Sequence, residues 1–317
     1  MLKKLVILIA TAHVMCFCSL LNAEPWFTGP ILAPTAETLP LGHANITTYG
    51  FLTSRSSDFN DRGKPIPTPR FESRQINPLL TYGLSDWVDT QLSLPYTMNH
   101  SENRASQHIA DTSILLGFQI YRQIPHSWIP SLRISLQEIF PTGRFDGLNP
   151  TDKGTGVTGA GSYQNIINFN LEDLSQFNSI NYLRSRISLS YLHGQPYQRR
   201  SILELQDIAA PQEKIIPGDL YSADIAGELM VTQHWVAVME AYVFYHTSAS
   251  LPGSVSITEN GQLAGTTTNS FYEISLAPAI EYNFNANYGI IFGNWFAVKG
   301  RNAPVFRSWV MGLNVYW

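Results

Sequence analysis

Apolar and polar residues alternate at every second position over most of the chain. In the segment 271–284, for example, Ile274 and Leu276 alternate with Glu273 and Ser275. Successive residues of a β-strand point to opposite faces, so this period predicts strands with one apolar and one polar face. Twelve such strands are predicted, at residues 42–54, 74–84, 86–97, 109–121, 129–140, 162–172, 182–192, 219–231, 234–247, 271–284, 287–299 and 305–317.

The predicted connections between these strands alternate in length. The long ones lie at 55–73, 98–108, 141–161, 193–218 and 248–270, and the short ones at 85, 122–128, 173–181, 232–233, 285–286 and 300–304. Outer-membrane barrels alternate short turns with longer outer loops. The predicted fold is therefore all-β, a transmembrane antiparallel up-and-down β-barrel of about twelve strands. The last outer loop, 300–304, is short, and alternation is weak in the first and eleventh strands, so ten or fourteen strands remain open.

The last predicted strand has a wholly apolar face. That face is formed by Trp309, Met311, Leu313, Val315 and Trp317. Such a strand is typical of a barrel that closes its last strand against its first and places aromatic residues at the membrane interface. It resembles the C-terminal signal that outer-membrane barrels present to the barrel-assembly machinery. The alternative is an edge strand of a β-sandwich.

The composition agrees with a barrel in contact with outer-membrane lipids. The chain is 44% apolar, 12% aromatic and only 14% charged, whereas globular proteins average about 25% charged residues. The many aromatic residues exclude a disordered chain. Aromatic pairs about ten residues apart, such as Trp235 with Tyr245, predict two interfacial girdles, because strands of about 9–11 tilted residues cross the apolar core.

The amino-terminal residues 1–23 are predicted to be a signal peptide. Lys3 and Lys4 precede an apolar run that ends at a cleavage site after Ala23. An amino-terminal membrane anchor is the alternative. Cys16 and Cys18 both lie in this segment, so the processed chain would contain no cysteine, which excludes disulfides and thiol catalysis. The expected location is the bacterial outer membrane, after export through the periplasm.

Charge excludes one class of partner. The full sequence has 20 basic and 24 acidic residues. Cleavage of the predicted signal peptide removes Lys3 and Lys4, which leaves 18 basic residues and a net charge of −6. No basic stripe is present, so a nucleic-acid partner is not expected.

If the apolar faces meet lipid, the other faces line the lumen. The predicted lumen-lining residues are Arg133, Arg184, Arg186, Asp224, Glu228, Glu240, Tyr242, Phe244, Glu273 and Glu281. The arginines lie on other strands than the carboxylates, so they could set a field across a pore. Alternatively they pair across the wall and compensate buried charge, with Arg186 and Glu228 as the expected pair.

The proline-rich leader 24–41 precedes the predicted barrel, which spans 42–317. Twelve strands enclose more space than an eight-stranded barrel and less than a porin of sixteen, so an inserted segment could block the lumen. Trp26, Phe27, Pro30 and Pro34 make this leader a candidate plug. The alternative is a leader that lies disordered in the periplasm.

Catalysis is not expected. Barrel hydrolases need a nucleophile beside a base, and the nearest match is His246 followed by Ser248. It lacks the His-x-Ser-Asn-Gly pattern of outer-membrane phospholipases. No metal-ligand spacing, Walker loop or dinucleotide fingerprint occurs, so neither a metal nor a cofactor is expected.

Two loop motifs carry a resemblance to a known family. They are Phe140-Pro-Thr-Gly-Arg-Phe-Asp-Gly-Leu-Asn-Pro150 and Thr158-Gly-Ala-Gly-Ser-Tyr-Gln164, together with the leader and Gly42-His43. They resemble outer-membrane barrels labelled as transporters of a meta-cleavage phenol-degradation pathway, although Phe145 stands where that family has Tyr. The resemblance implies a barrel that passes small, often hydrophobic compounds, and it brings no catalytic residues.

The sequence therefore predicts an outer-membrane channel for small solutes. Hydrophobic or aromatic solutes are expected, because Tyr242, Phe244, Val236 and Val238 share the lumen-facing parity of Glu240. One alternative is a closed structural barrel that binds a partner through loops 141–161 and 193–218. The other is an outer-membrane lipid hydrolase.

Overall fold

A computed structural model describes residues 25–125, 127–146, 150–178, 181–200, 212–257 and 263–317. The predicted signal peptide lies outside these residues. In chain order the strands are β1 (Ala44–Phe59), β2 (Pro65–Ser85), β3 (Val88–Ser93), β4 (Tyr96–Ser101), β5 (Arg104–Ile109), β6 (Thr112–Tyr121), β7 (Ser131–Phe140), β8 (Gln164–Gln176), β9 (Tyr182–Gly194), β10 (Tyr197–Arg200), β11 (Gln212–Ile215), β12 (Leu220–Met230), β13 (Trp235–His246), β14 (Ser250–Ile257), β15 (Leu263–Thr267), β16 (Phe271–Leu276), β17 (Ala279–Asn283), β18 (Tyr288–Arg301) and β19 (Pro304–Tyr316).

The fold is a closed antiparallel barrel of twelve strands, as predicted. Each strand pairs with its neighbours in the chain, and β1 pairs with both β2 and β19 to close the wall. Three of the twelve are interrupted and consist of β3 with β4, β5 with β6, and β16 with β17. Proline lacks the N–H that the ladder needs, which explains the breaks at Pro95 and Pro278.

We call the end of the barrel that holds residues 43 and 317 the terminal end, and the opposite end the loop end. Backbone hydrogen bonds join Ala44 to Trp317 at the terminal end. The connections at that end lie at 86–87, 122–130, 177–181, 231–234 and 284–287. The other connections start and end at the loop end, and their described residues are 60–64, 102–103, 141–146, 150–163, 195–200, 212–219, 247–257, 263–270 and 302–303.

Several predicted loops are shorter in the structure because the strands continue. The predicted loop 55–73 shrinks to residues 60–64, and 98–108 becomes a hairpin of β4 and β5. The loops 193–218 and 248–270 contain the two-stranded hairpins β10–β11 and β14–β15. The predicted limits were wrong because apolar residues stop alternating where the wall leaves the lipid, whereas backbone pairing does not depend on the side chains there.

The outward face of the barrel is apolar. On β19 the side chains of Trp309, Met311 and Leu313 are 48%, 56% and 45% exposed. A barrel with such a face is stable only where that face meets lipid. No helix in the described part of the chain is long and apolar enough to cross a membrane.

The core lies inside the barrel, on one side of the lumen. It combines inward-facing wall residues with one leader residue, namely Ile31, Tyr182, Met230, Val236, Val238, Ala277, Ile291 and Val310. Phe27 and Leu32 of the leader pack against it. The apolar inward sector of the wall is thus covered by the leader.

Candidate functional site

The leader crosses the lumen near the terminal end. It begins beside the 231–234 turn, where the Trp26 ring lies 5.4 Å from the His234 ring. It finishes at the opposite wall, where Leu41 donates its backbone N–H to Asp86 at 3.2 Å. Ile31, Ala33 and other leader residues between these points are buried. The leader has neither helix nor strand, so its backbone groups need partners from the wall.

Glu240 on β13 provides the central attachment. Its carboxylate accepts the backbone N–H groups of Ile31, Leu32 and Ala33 at 2.5, 2.9 and 2.9 Å. Successive N–H groups that converge in this way form an anion-binding concavity. Glu240 has no exposed surface, so these charge-assisted bonds compensate its buried charge.

Two further carboxylates attach the leader on either side of Glu240. Glu281 on β17 accepts the N–H groups of Thr28 at 2.8 Å and Gly29 at 3.2 Å. Glu172 on β8 accepts the Ala36 N–H at 3.2 Å and the Thr35 hydroxyl at 3.0 Å.

The last part of the leader is held by an amide and a buried ion pair. The Gln119 side chain accepts the Thr38 N–H at 2.8 Å and donates to the Ala36 carbonyl at 2.8 Å. Arg133 donates to Asp89 at 2.5 Å, and Asp89 in turn accepts a backbone N–H of the leader.

The arginines of β9 are paired rather than free. Arg184 donates to Glu228 at 2.6 and 2.5 Å, and its guanidinium lies 4.2 Å from the Phe27 ring. Arg186 contacts Glu172 at 3.0 Å and Glu228 at 3.4 Å. The expected pair of Arg186 with Glu228 therefore exists, but the shortest bonds to Glu228 come from Arg184. The reason is register, since Arg184 lies directly opposite Glu228.

An aromatic cluster faces the lumen on the loop-end side of the leader. Phe244 lies 5.9 Å from Tyr242 and 5.7 Å from Phe271, measured between ring centroids. The registers place Asp224 opposite Tyr242 and Glu273 opposite Phe244. Asp224 Oδ1 and Glu273 Oε1 are buried with no hydrogen-bond partner among the described residues. This sector thus combines aromatic faces with acceptor atoms.

A second segment narrows the lumen from the loop end. The Asn99 side chain donates to the carbonyls of Thr155 and Val157, both at 3.0 Å. Asp111 accepts the N–H groups of Gly143 and Ala160 at 2.9 and 2.7 Å. A cavity of about 510 Å³ remains between this segment and the walls of β2 and β4. The predicted partner-binding loop 141–161 is therefore folded onto the wall in its described part.

The ten residues predicted for the lumen all lie on inward-facing positions of the wall. Of the candidate plug residues, Trp26 and Phe27 contact His234 and Arg184, the Pro30 carbonyl accepts the Tyr49 hydroxyl, and Pro34 follows the Glu240 attachment. Of the predicted assembly-signal residues, Trp309, Met311, Leu313 and Val315 occupy alternate positions on β19, and Trp317 follows the end of that strand.

Several residues that hold the leader were not among the predicted site residues, and they include Asp89, Gln119 and Glu172. The first two lie on the polar faces of predicted strands. Glu172 is the last residue of another predicted strand, and the structure continues that strand to Gln176. Strand parity placed these side chains in the lumen but could not say that they bind the leader.

His246, the candidate base considered for hydrolysis, contacts its neighbours in the wall and in the chain. The His246 ring stacks on Phe271 at 4.7 Å, and its Nδ1 lies 2.7 Å from the Thr247 carbonyl oxygen. Among the described residues, no group of three or more histidine, cysteine or acidic side chains could hold a metal ion.

The fold is similar to solved outer-membrane barrels. The crystal structure of the COG4313 outer membrane channel from Pseudomonas putida F1 aligns over 90% of this chain and 100% of that chain, with a TM-score of 0.69 and 12% identity. The NanC porin aligns over 85% of this chain and 98% of that chain, with a TM-score of 0.43 and 8% identity. The TodX monoaromatic hydrocarbon channel, a deltaS2 mutant, aligns over 88% of this chain and 90% of that chain, with a TM-score of 0.35 and 10% identity. At these identities the similarity concerns the fold alone.

No family model matches the chain. No curated protein matches it either.

Proposed function

We propose that the protein is a channel of the bacterial outer membrane through which small solutes diffuse. The observation that carries this proposal is a closed twelve-stranded barrel whose lumen is crossed by a separate segment, attached through side-chain-to-backbone hydrogen bonds. Such a segment can leave without breaking a wall strand. The fold similarity to the COG4313 outer membrane channel supports the proposal. Outer-membrane barrels have short turns on the periplasmic side, so we expect the terminal end to face the periplasm.

The leader is the proposed gate of this channel. Its attachments to Glu240, Glu281 and Glu172 span the lumen from β17 to β8, so the periplasmic half is obstructed while they hold. Withdrawal would expose three carboxylates and the apolar sector around Val236 to the lumen. Gating by the leader therefore changes both the width of the pore and the chemistry of its wall.

The proposed solutes are small hydrophobic or aromatic molecules. Tyr242, Phe244 and Phe271 offer aromatic faces, which favour offset or edge contacts with another ring. The unpartnered oxygens of Asp224 and Glu273 would accept a hydrogen bond from a polar substituent. The phenol-degradation label of the family that the loop motifs resemble agrees with such solutes.

Single-channel conductance in a planar bilayer tests the gate. The intact protein is compared with a variant that lacks residues 25–41, and thermal unfolding checks that both barrels are folded. Steps that are rare in the intact protein and steady in the variant are expected. Identical open steps in both proteins would contradict gating by the leader, and silence in both would contradict a channel.

Uptake into liposomes tests the solute class. We expect Phe244→Ala, measured in the variant without the leader, to slow entry of a small phenol several-fold relative to glycerol. The matched control is Val243→Ala on the outward face of the same strand. An equal change for both solutes would mean that Phe244 affects the pore width and not its selectivity.

A closed structural barrel remains the second candidate. It is favoured by the two segments that fill the lumen, the leader and the described part of loop 141–161. Silence of both proteins in the conductance experiment would favour it.

A further inference from the structure

One sector of the outward face carries basic side chains next to its apolar belt. Arg74 shares the outward face of β2 with Ile76, which is 55% exposed. Arg307 shares the outward face of β19 with Trp309. Lys299 on β18 lies opposite Ile274, on the outward face of β16. Residues opposite each other on neighbouring strands share a face, so all three basic residues point away from the lumen.

These three residues lie at one depth, on the loop-end side of the belt. Arg74 precedes the last residue of β2, Ser85, by eleven positions, and Arg307 precedes the last residue of β19 by nine. Lys299 follows the first residue of β18 by eleven. A tilted strand crosses the apolar core in about 9–11 residues. The three side chains therefore reach the headgroups of the leaflet on the loop-end side.

The ion pairs around this sector involve other side chains. Among the described residues, Arg74, Lys299 and Arg307 form no ion pair. Glu72 on the same face is engaged by Arg70 at 2.5 Å. On the opposite sector the outward His193 is paired with Asp219 at 2.7 Å. Three outward basic side chains without an ion pair among the described residues thus lie near one another on β18, β19 and β2.

An apolar groove continues from these charges toward the middle of the belt. It has a volume of about 430 Å³ and is lined by Leu52, Arg74, Ile76, Tyr96, Met98, Phe292, Trp309 and Met311. Gly50 forms its floor, because it lies opposite both Ile76 and Met311 on the neighbouring strands. Arg74 stands at its rim and shares a second groove with His100. A positively charged rim beside an apolar groove on the outward face matches a lipid with an anionic headgroup.

We propose that this sector is a binding site for a lipid whose headgroup carries phosphate. One acyl chain lies in the groove over Gly50, and the phosphate lies between Arg74 and Arg307, which flank β1 from opposite sides. Basic clusters beside a membrane recognise anionic headgroups in this way. The site rests on the membrane placement proposed above, but it does not require an open channel.

Native mass spectrometry of the full-length protein in detergent tests the site. The probes are hexa-acylated lipid A with its phosphate groups, the same lipid dephosphorylated, and inorganic phosphate alone. The variant Arg74→Gln/Arg307→Gln should bind phosphorylated lipid A roughly thirtyfold more weakly, since each basic residue near an anionic lipid strengthens attraction about fivefold. Gly50→Leu fills the groove and should weaken the binding of both lipids. A Cβ at Gly50 would meet only the Met311 carbonyl oxygen, at 3.9 Å, so this variant should fold.

The control is Lys214→Gln on β11, which removes a positive charge outside the sector. It should bind as the wild type does. Equal affinity for the phosphorylated and dephosphorylated lipids would overturn the phosphate site and leave general anchoring by interfacial arginines. Binding of inorganic phosphate at the affinity of the lipid would overturn the lipid site. Since no readout uses conductance, a failure here is distinguishable from failure of the proposed channel.

Discussion

At the scale of single residues, the buried carboxylates of the lumen are explained by the leader. Glu240, Glu281 and Glu172 are buried carboxylates, and a buried charge is costly unless it has partners. The backbone N–H groups of the leader, together with Arg186 at Glu172, supply the compensating bonds. Apart from the Thr35 hydroxyl at Glu172, these bonds use the backbone of the leader. The attachment therefore depends on the path of the backbone more than on the residue types.

Glu240→Gln should loosen the leader without altering the barrel. The amide keeps the size of the side chain but removes the charge that holds three N–H groups, and hydrogen bonds to charged groups contribute about 1.5–3 kcal/mol. We expect hydrogen exchange at Ile31, Leu32 and Ala33 to accelerate roughly tenfold or more. Hydrogen–deuterium exchange read by mass spectrometry measures this.

Glu273→Gln is the control for that experiment. It removes the same charge from the neighbouring strand β16, where no described hydrogen bond to the leader is formed. Exchange in the leader should stay as in the wild type. If both variants accelerated exchange equally, the attachment would depend on the net charge of the lumen and not on Glu240.

Arg184→Met should destabilise the barrel. Glu228 is completely buried, and loss of its closest partner costs about 3–5 kcal/mol in comparable buried pairs. The double variant Arg184→Met/Glu228→Met should recover much of this loss, because no unpaired charge remains. Urea unfolding in lipid vesicles compares the two. Equal destabilisation in both variants would mean that packing around Phe27, and not charge, is responsible.

At the scale of elements, the strands make room for the leader with glycine at inward-facing positions. A Cβ at Gly289 of β18 would come within 2.0 Å of the Thr28 hydroxyl. A Cβ at Gly83 of β2 would come within 1.9 Å of the Pro40 carbonyl oxygen. The wall is therefore shaped for a segment that runs against its backbone.

Gly289→Ala should displace the start of the leader. The added methyl group collides with Thr28, whose N–H is bound by Glu281, so exchange at Thr28 and Gly29 should accelerate while Ile31 stays protected by Glu240. Gly227→Ala is the control, because a Cβ there meets only Leu183, at 3.9 Å. Unchanged exchange at Thr28 would show that the wall yields instead of the leader.

At the scale of the whole molecule, closure of the barrel depends on the pairing of its first and last strands. The register of β1 with β19 runs from Asn45 opposite Tyr316 to Asp58 opposite Pro304. Two backbone hydrogen bonds between Ala44 and Trp317, of 2.8 and 3.0 Å, complete it. A closed wall leaves no unpaired edge in the lipid.

Trp317→Ser tests the predicted assembly signal. If the outward residues of β19 are recognised by the assembly machinery, the folded fraction in cell membranes should fall several-fold, measured by heat-modifiable electrophoresis. Refolding of the purified chain into detergent should change little, since the ring is 55% exposed. Trp128→Ser, which removes a ring that is 87% exposed in the 122–130 turn, is the control. An equal fall in both variants would contradict a signal on β19.

Much of the wall was predictable from the sequence. Alternation along segments such as 271–284 determined the strands, and strand parity put Glu240, Glu281 and Arg186 on the lumen side. The limits of the strands were less certain beyond the lipid, as the hairpin of β4 and β5 shows, because alternation needs two different environments on the two faces.

The sequence by itself determined an antiparallel barrel of about twelve strands, because a pleated strand between lipid and lumen imposes a period of two on the chain. The structure decided between ten, twelve and fourteen strands. Only the tertiary structure decided which carboxylates hold the leader and which outward arginines stand together. Those contacts join residues far apart in the chain, 209 positions in the case of Ile31 and Glu240. The leader has no period, so its partners depend on where the closed wall places side chains from separate strands.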